Sequence, residues 1–345
     1  MSGDTLLSVR DLKVHFPRPR RSLLTAPGRV HAVDGVSLEV PRGTTFGIVG
    51  ESGSGKTTTA LAVMRLAPIT AGRVSLDGED ITTLAGDALL AVRRKLQIIF
   101  QDPYSSLNPR MRAGQIVREP MDLMKVGEPA ERDTRVAELF RRVGLRPEQQ
   151  ALFPHQFSGG QRQRIGVARA LATQPALIVC DEPVSALDVA IQAQILNLLR
   201  QLQADFGLTY LFISHDLGVV QYVCDEIAVM YLGQVVEQGD RISLFSRPLH
   251  PYTWALLSAV PSAKTKGRGE RIRLQGDPPS PIDLPPGCRF AARCPFAEAR
   301  CHGESPLLRP IGGNGHRVAC HLVGEDGRAP HHLGAAERPP SPSSG

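Results

Sequence analysis

The sequence predicts an α/β fold, because short apolar runs typical of buried strands alternate with stretches of helical spacing from residue 5 to residue 260. Residues 44–49 form a β-like run that leads into a glycine-rich loop, and a helix-like pattern begins at Thr57. Residues 177–180 are continuously apolar, as expected of a strand covered on both faces of a parallel sheet. Residues 191–206 carry apolar side chains at helical spacing behind Asp188, a suitable N-cap.

The remaining predicted elements follow the same alternation, which ends at residue 260. Residues 74–76 predict a strand that ends in a turn at residues 77–78, and residues 208–213 predict a second buried strand. Residues 229–236 predict a hairpin with its turn near Gly233.

Changes in composition along the sequence divide the chain into parts. Residues 17–28 predict a basic loop that contains proline, inserted near the start. From residue 261 proline and glycine become dense and four of the six cysteines appear. We therefore expect a first domain over residues 5–260, a small cysteine-containing domain over residues 261–325 and a disordered tail over residues 326–345.

Composition excludes several classes of protein. No run approaches the 18 apolar residues of a membrane span, and the first 13 residues lack an apolar signal core, so we expect the chain to stay in the cytoplasm. The net charge of +6 is modest and the basic residues are scattered, so nucleic-acid binding is not indicated. Six cysteines in a cytosolic chain argue against a disulfide framework.

The glycine-rich loop has the composition of a phosphate site. Residues 50–57 read GESGSGKT between the predicted strand and the predicted helix. Glycines allow the backbone N–H groups to converge on phosphate oxygens, and the helix N-terminus adds its positive dipole end. Lys56 is expected to pair with the β- and γ-phosphates of a nucleotide, and the Thr57 hydroxyl is expected to bind Mg²⁺.

An acidic pair, Asp181 and Glu182, follows the apolar strand at residues 177–180. We expect Asp181 to hold Mg²⁺, usually through water, and Glu182 to act as the general base on the attacking water. Such a pair alone is a weak signal, and its meaning here comes from the phosphate loop.

Together with these motifs, residues 157–161, which read FSGGQ, resemble the signature peptide of ABC-type ATPases. The chain is similar to the ATP-binding subunits of ABC transporters over about residues 5–325, with the motifs in the family's order. Residues 101–109, QDPYSSLNP, and residues 250–253, HPYT, resemble the oligopeptide and dipeptide importer group. The resemblance implies a P-loop nucleotide-binding domain with a mixed sheet, an antiparallel β subdomain and a helical subdomain.

The resemblance also implies roles for single residues. Gln101 would link Mg²⁺ to the membrane partner, and His215 would hold the γ-phosphate and orient Glu182. Phe16 would stack on adenine, although an aromatic residue at a strand end is as readily part of a core. The signature would reach ATP only across a dimer interface. The implied nucleotide-binding residues are Phe16, Gly50, Ser52, Gly53, Ser54, Gly55, Lys56, Thr57, Thr58, Ser158, Gly159, Gly160, Gln161 and Asp188 of the D-loop.

The departures from the family pattern are small. Phe157 stands where leucine is commoner, and Cys180 precedes Asp181 where an aliphatic residue is usual. Phe157 leaves the serine and glycines of the signature intact. A buried cysteine behaves as a small hydrophobic residue, so Cys180 puts little in doubt. No position that hydrolysis needs is missing.

The implied function is ATP hydrolysis that drives peptide import at the cytoplasmic face of the membrane, with the chain bound peripherally. The implied partners are a paralogous ATPase subunit or a second copy, two transmembrane permease subunits and an external peptide-binding protein. Nickel or glutathione import would use similar ATPases. ABC-type ATPases also act on DNA or ribosomes, but those usually have a long coiled-coil insertion or two fused nucleotide domains, and this sequence has neither.

Cys288, Cys294, Cys301 and Cys320 have the spacing C-x5-C-x6-C-x18-C in a segment with few apolar residues. Structural zinc prefers close C-x2-C pairs, which are absent here, whereas four thiolates can also hold an iron–sulfur cluster. Spacing alone does not decide between a cluster, zinc and unliganded thiols. The resemblance to dipeptide-transporter ATPases implies a 4Fe–4S cluster, with a structural role favoured over redox sensing. An iron–sulfur regulatory protein with a vestigial ATPase is a further reading, which the complete catalytic set disfavours.

Overall fold

The computed structural model describes residues 4–18, 28–258, 276, 279–313 and 315–330. Most of the predicted loop at residues 17–28, the predicted boundary at residues 260 and 261, and residues 331–345 of the predicted tail lie outside these ranges.

One sheet lies in the N-terminal part of the chain and is entirely antiparallel. Its strands, in the spatial order β2-β1-β4-β5, are β1 Thr5–Pro17, β2 Arg29–Pro41, β4 Ala71–Leu76 and β5 Glu79–Asp80. Asp77, in the tight turn between β4 and β5, has a positive φ of 55°, as the predicted turn requires.

The larger sheet is mixed, with spatial order β11-β12-β10-β9-β3-β8-β7-β6. Strands β9, β3, β8, β7 and β6 are parallel, and the other pairs are antiparallel. The bounds are β3 Thr45–Val49, β6 Leu96–Ile99, β7 Leu177–Asp181, β8 Thr209–Ser214, β9 Glu226–Tyr231, β10 Gln234–Asp240, β11 Arg309–Pro310 and β12 Arg317–Val318.

Helices cover this sheet and fill the connection between β6 and β7. The α-helices of the described ranges are α1 Lys56–Val63, α2 Gly86–Lys95, α3 Ala113–Leu123, α4 Arg132–Arg142, α5 Gly159–Leu171, α6 Val189–Phe206, α7 Leu217–Val223, α8 Arg241–Ser246, α9 Pro251–Ser258 and α10 Ala299–Gly303. Short 3-10 helices occur at Pro129–Glu131, Pro147–Ala151, Pro154–Gln156 and Ala291–Arg293. Helices α3, α4 and α5, which lie in the chain connection from β6 to β7, pack together as a helical layer.

Alternate residues of the parallel strands face two hydrophobic cores. In β7, Leu177 and Val179 pack with the antiparallel sheet and α1, whereas Ile178 and Cys180 pack with the helical layer and α6. This two-sided burial explains why the parallel strands are continuously apolar in sequence. The carboxyl ends of β3, β7 and β8 consequently lie side by side, where ligands bind in open α/β sheets.

The C-terminal segment, meaning the described residues from 249 onward, continues the larger sheet. Strand β12 pairs with β10 through Glu237–Val318 and Gln238–Arg317, and β11 pairs with β12 at the outer edge. A small core surrounds this edge, formed by Leu249, Ile311, Val318, Cys320, Val323 and Ala329. Ala329 is buried although it belongs to the stretch predicted as a tail, because it packs into this core.

Candidate functional site

The phosphate loop joins the end of β3 to the start of α1, in the strand–loop–helix context that the sequence predicted. Gly50 and Gly55 have φ values of 153° and 102°, which favour glycine. A Cβ at Gly50 would lie 2.2 Å from the Met230 carbonyl oxygen, and one at Gly55 would lie 2.3 Å from the Ala32 carbonyl oxygen. These two glycines therefore let the loop lie directly against neighbouring backbone.

Lys56 points back into the loop. Its Nζ donates to the carbonyl oxygens of Gly50 and Glu51, both at 2.8 Å, and the residue is 5% exposed. Burial lowers the pKa of Lys56, while the carboxylates of Glu182, Asp181 and Glu51 oppose that shift. The ammonium group is thus held at the centre of the loop.

Thr57 and Asp181 meet across the two strand ends. The Thr57 hydroxyl donates to Asp181 Oδ1 at 3.0 Å, and burial raises the pKa of that carboxyl group. A hydroxyl and a carboxylate at this separation are suitable oxygen donors for Mg²⁺. The described hydrogen bond of the Gln101 side chain, however, goes to Glu182 rather than to this pair.

The other loop residues differ in exposure. Ser52 and Gly53 are exposed, Thr58 is half-buried on α1, and Ser54 is buried. The Ser54 hydroxyl has no hydrogen-bond partner among the described residues. A buried polar group of this kind needs a partner, and a phosphate oxygen would supply one.

Glu182 is held between two side chains at the end of β7. Its Oε2 accepts from Gln101 Nε2 at 3.0 Å and lies 3.0 Å from His215 Nδ1. The Glu182 backbone has a φ of 47°, and its side chain is 13% exposed. The structure therefore brings together Gln101, Glu182 and His215, three residues that come from separate strands.

The signature peptide starts α5. Ser158 caps the helix, because its hydroxyl accepts from the Gln161 N–H while the Gln161 side chain accepts from the Ser158 N–H. A Cβ at Gly159 would lie 3.5 Å from the Leu187 side chain, whereas one at Gly160 would lie 2.6 Å from the Ile191 side chain. The second glycine thus permits α5 to pack closely on α6.

Asp188 and Phe16 have local structural contacts. Asp188 caps α6 by accepting from the Ile191 N–H at 3.0 Å, as the sequence predicted. Phe16 pairs with Val30 across β1 and β2 and packs, half-buried, against the core beneath the antiparallel sheet. Phe16 therefore packs on the core, and its stacking on adenine stays a prediction.

The sequence did not predict that the C-terminal segment reaches the phosphate loop. The Tyr252 hydroxyl accepts from the Glu51 N–H at 2.8 Å, and Arg293 pairs with the Glu51 carboxylate at 2.7 Å. The HPYT motif marked Tyr252 as a subfamily feature, but no signal in the sequence pairs residues that are 201 and 242 positions apart.

Comparison with known proteins agrees with this geometry. The family described as "ABC transporter" matches residues 33–185, and "Oligopeptide/dipeptide transporter, C-terminal region" matches residues 236–301. The oligopeptide transport ATP-binding protein AppF of Bacillus subtilis (strain 168) is 48% identical over 322 residues, which are 92% of this chain and 98% of that protein.

Solved structures resemble about two thirds of the chain. A dimeric post-hydrolysis state of the ATP-binding cassette MJ0796 bound to ADP and Pi has a TM-score of 0.61 and 28% identity, over 68% of this chain and 99% of that one. The cbiO1 protein of Clostridium perfringens, part of the ABC transporter complex cbiONQ, has a TM-score of 0.61 and 28% identity, over 70% and 91%.

The fold and the site therefore define an ABC-type ATPase. More narrowly, the chain belongs to the ABC transporter family of ATP-binding subunits that carry the oligopeptide/dipeptide transporter C-terminal region.

The expected 4Fe–4S cluster is wrong. The matching families and relatives are ABC-transporter ATPases whose descriptions include no cluster, and Cys288, Cys294, Cys301 and Cys320 show no cluster-like arrangement. Burial raises the pKa of Cys294 and of Cys320 to about 12. The cysteines pack as small hydrophobic residues instead.

Zinc at the cysteines is not supported either. Within the described ranges, the set of three or more ligand-type residues whose donor atoms all lie within 4.8 Å of one another is His15, His31 and Asp34. Asp34 already forms an ion pair with the Arg289 guanidinium. That cation would oppose a second positive charge on the same carboxylate, so we assign no metal there.

Proposed function

We propose that this chain hydrolyses ATP to energise the import of peptides by a membrane transporter. The observation that carries the proposal is the Glu182 carboxylate, which Gln101 and His215 hold at the strand end beside the Lys56 loop. Peptides as cargo are supported by the 48% identity to an oligopeptide transport protein along nearly its whole length and by the matching C-terminal region.

The chemistry is an in-line attack of water on the γ-phosphate. The loop N–H groups and Lys56 bind the β- and γ-phosphates, and Thr57, Asp181 and Gln101 are the residues that would hold Mg²⁺. The ion, when bound, neutralises charge on those phosphates. Glu182 accepts the proton of the attacking water, and a positioned base of this kind contributes roughly 10²- to 10⁴-fold to the rate.

Two chains complete each site. Ser158, Gly159, Gly160 and Gln161 would cap the γ-phosphate bound by the opposite subunit, together with Asp188 of the D-loop. A Ser158 cap at the start of α5 supports this role, because N–H groups and the dipole of a helix N-terminus attract anions. Phe16 would stack on adenine. The opposite subunit is a second copy or a paralogue.

Two permease subunits and an external peptide-binding protein complete the proposed assembly. None of the described helices combines the length and apolarity of a membrane span. We propose peripheral attachment to the permeases at the cytoplasmic face of the membrane. Residues 5–260 act as the nucleotide-binding domain in this scheme, with residues 261–325 as the C-terminal domain and residues 326–345 as its tail.

The decisive experiment is isolation of the tagged chain from membranes of its host in mild detergent, with Lys56→Ala as the catalytic control. We expect two permease subunits to copurify, and we expect peptides to raise the ATPase rate of the reconstituted assembly. Stimulation by nickel or glutathione alone would reassign the cargo. Recovery with ribosomes or DNA and without membrane subunits would refute the transporter reading.

A further inference from the structure

The C-terminal segment contacts the phosphate loop at Glu51, the second residue of the motif. Arg293 makes two hydrogen bonds with the Glu51 carboxylate, at 2.7 and 3.2 Å, and the Glu51 N–H donates to the Tyr252 hydroxyl at 2.8 Å. Both the side chain and the backbone of one loop residue are thus fixed by residues from the far end of the chain. Paired hydrogen bonds between a guanidinium and a carboxylate restrict orientation as well as distance.

The two contacting residues are themselves held rigidly. Tyr252 is fully buried, and its ring lies 4.7 Å from that of Tyr231 and 5.4 Å from that of Phe290. The Arg293 side chain is only 7% exposed and lies over the Tyr231 ring, 5.8 Å from its centroid. Because neither side chain can swing away without breaking this aromatic packing, they impose a position on Glu51.

A second contact supports the neighbouring turn between β9 and β10. Arg289 donates to the Leu232 carbonyl oxygen and pairs with Asp34. The next residue, Gly233, donates its N–H to the Ser54 carbonyl oxygen at 2.9 Å. The C-terminal segment therefore supports the phosphate loop on two sides, at Glu51 and at Ser54.

The charge on Glu51 makes the first contact matter for nucleotide binding. Its carboxylate acts on Lys56, whose Nζ lies 2.8 Å from the Glu51 carbonyl oxygen. A carboxylate without a counter-ion beside this loop would repel the phosphates of ATP. The Arg293 guanidinium balances that charge, and because the Glu51 carboxylate is 31% exposed, salt can partly screen it when Arg293 is removed.

We propose that Arg293 and Tyr252 are positioning residues for ATP, which fix Glu51 and neutralise its charge so that the loop accepts phosphate. This inference rests on the ATP-binding function proposed above. It gives the C-terminal region a direct role in nucleotide affinity, in addition to any role in the transporter.

The test compares full-length chains carrying Arg293→Met, Glu51→Gln and both changes, with Arg328→Met as the matched control. Arg328 is also a C-terminal arginine in an ion pair, with Asp326, but its side chain is 75% exposed. Affinity for MgATP is measured by calorimetric titration, and KM and kcat are measured in parallel.

We expect Arg293→Met to raise the Kd for MgATP about tenfold, or about 1.4 kcal/mol, with kcat changed less than about twofold. Adding Glu51→Gln should restore the Kd to within about threefold, since it removes the unbalanced charge. The defect of Arg293→Met should shrink between about 0.05 and 0.5 M salt, because exposed charges are screened there. Tyr252→Phe should give a smaller loss, and Arg328→Met none.

A double variant as weak as Arg293→Met, or an Arg293→Met variant with the wild-type Kd, would overturn the inference. If Arg293→Met does not fold, Arg293→Lys replaces it: the charge stays and the paired geometry is lost, so an intermediate Kd is expected and an unchanged one contradicts the proposal. A wild-type chain that binds no ATP would refute the ATPase assignment itself.

Discussion

The strand ends that carry the proposed catalytic residues and the C-terminal segment are held in place by different forces. Asp181 and His215 stand at or next to the ends of β7 and β8, and Lys56 begins α1 after the loop that follows β3. Hydrogen-bonded parallel strands between two apolar cores fix those strand ends. The C-terminal segment contains little regular structure and is attached by the pairing of β12 with β10, by a small core, and by buried polar contacts such as Arg293 with Glu51 and His316 with Glu237.

We therefore expect changes at the strand ends to affect catalysis and changes in the C-terminal segment to affect stability or affinity. Side chains at the strand ends can be changed without disturbing the backbone that carries them, so their loss should affect catalysis more than folding. Arg289 and Arg293 are largely shielded from water in their ion pairs, so the loss of one partner leaves a buried charge and should affect folding or affinity more than the chemical step. The four predictions below test this separation.

Glu182→Gln should give the largest effect. The amide retains the shape of the carboxylate but cannot accept a proton, so we expect kcat of the assembled transporter to fall about 10³-fold, or about 4 kcal/mol, while ATP still binds. Stopped-flow or steady-state phosphate release measures the rate. Glu39→Gln, at an exposed surface position, is the control. Turnover within a few-fold of the wild type would remove Glu182 as the base.

Glu237→Ala should give the largest loss of stability. Glu237 is fully buried and accepts from the Leu249 and His250 N–H groups at 2.7 and 2.8 Å, and it also pairs with His316. Its removal leaves two buried N–H groups without an acceptor and the His316 ring without its partner, which should cost about 3 kcal/mol.

Denaturant titration of this variant, followed by proteolysis of the C-terminal segment, measures that cost. Glu304→Ala, at an exposed position in the same segment, should change stability by less than about 0.5 kcal/mol. Equal stability of the two variants would contradict the view that the buried contacts of Glu237 hold the C-terminal segment in place.

Lys56→Ala removes the cation at the centre of the phosphate loop. We expect the Kd for MgATP to rise about 100-fold, or about 2.7 kcal/mol, with an unchanged unfolding midpoint. Calorimetric titration gives the affinity, and Lys95→Ala, at an exposed lysine, serves as the matched control. A large fall in stability would show that catalytic and structural roles are not separate at this residue.

Cys320 gives the smallest expected effect, and it depends on pH. Burial raises the pKa of the folded thiol from 9.0 to about 12. The contribution of the neutral Cys320 thiol to the free energy of unfolding is therefore complete below about pH 9. It is lost as pH rises toward 12, because the unfolded chain releases the proton first. Near pH 10 the loss should be about 1.4 kcal/mol relative to Cys320→Ala, measured as the difference in unfolding free energy between pH 8 and pH 10. Parallel pH profiles of the two chains would argue against a buried neutral thiol.

Much of the first region could be predicted from the sequence. The strands at β3, β7 and β8, the Asp188 cap and the turn at Gly233 follow from local patterns of burial, capping and glycine, and the structure contains each of them. These features depend on neighbours along the chain, which is why periodicity detects them.

The C-terminal region was predicted poorly because its contacts are long-range. Nothing local links Arg293 to Glu51, or β12 to β10, since each pairing joins residues brought together only by the finished fold. The four cysteines illustrate the same limit. The resemblance to dipeptide-transporter ATPases implied a cluster, whereas the burial of these cysteines in apolar surroundings depends on packing that their spacing does not encode.

The two short strands at the edge of the larger sheet have a consequence for self-association. Strand β10 carries a row of backbone groups that could recruit a strand from another molecule, and β12 occupies part of that row. The outer strand, β11, is only two residues long and contains Arg309 and Pro310. Proline has no N–H to donate and arginine resists burial in an aggregate, so the sheet ends in a poor template for addition. During synthesis, the β10 edge stays uncovered until residues 309–318 emerge from the ribosome, which makes truncated chains the ones most prone to aggregate.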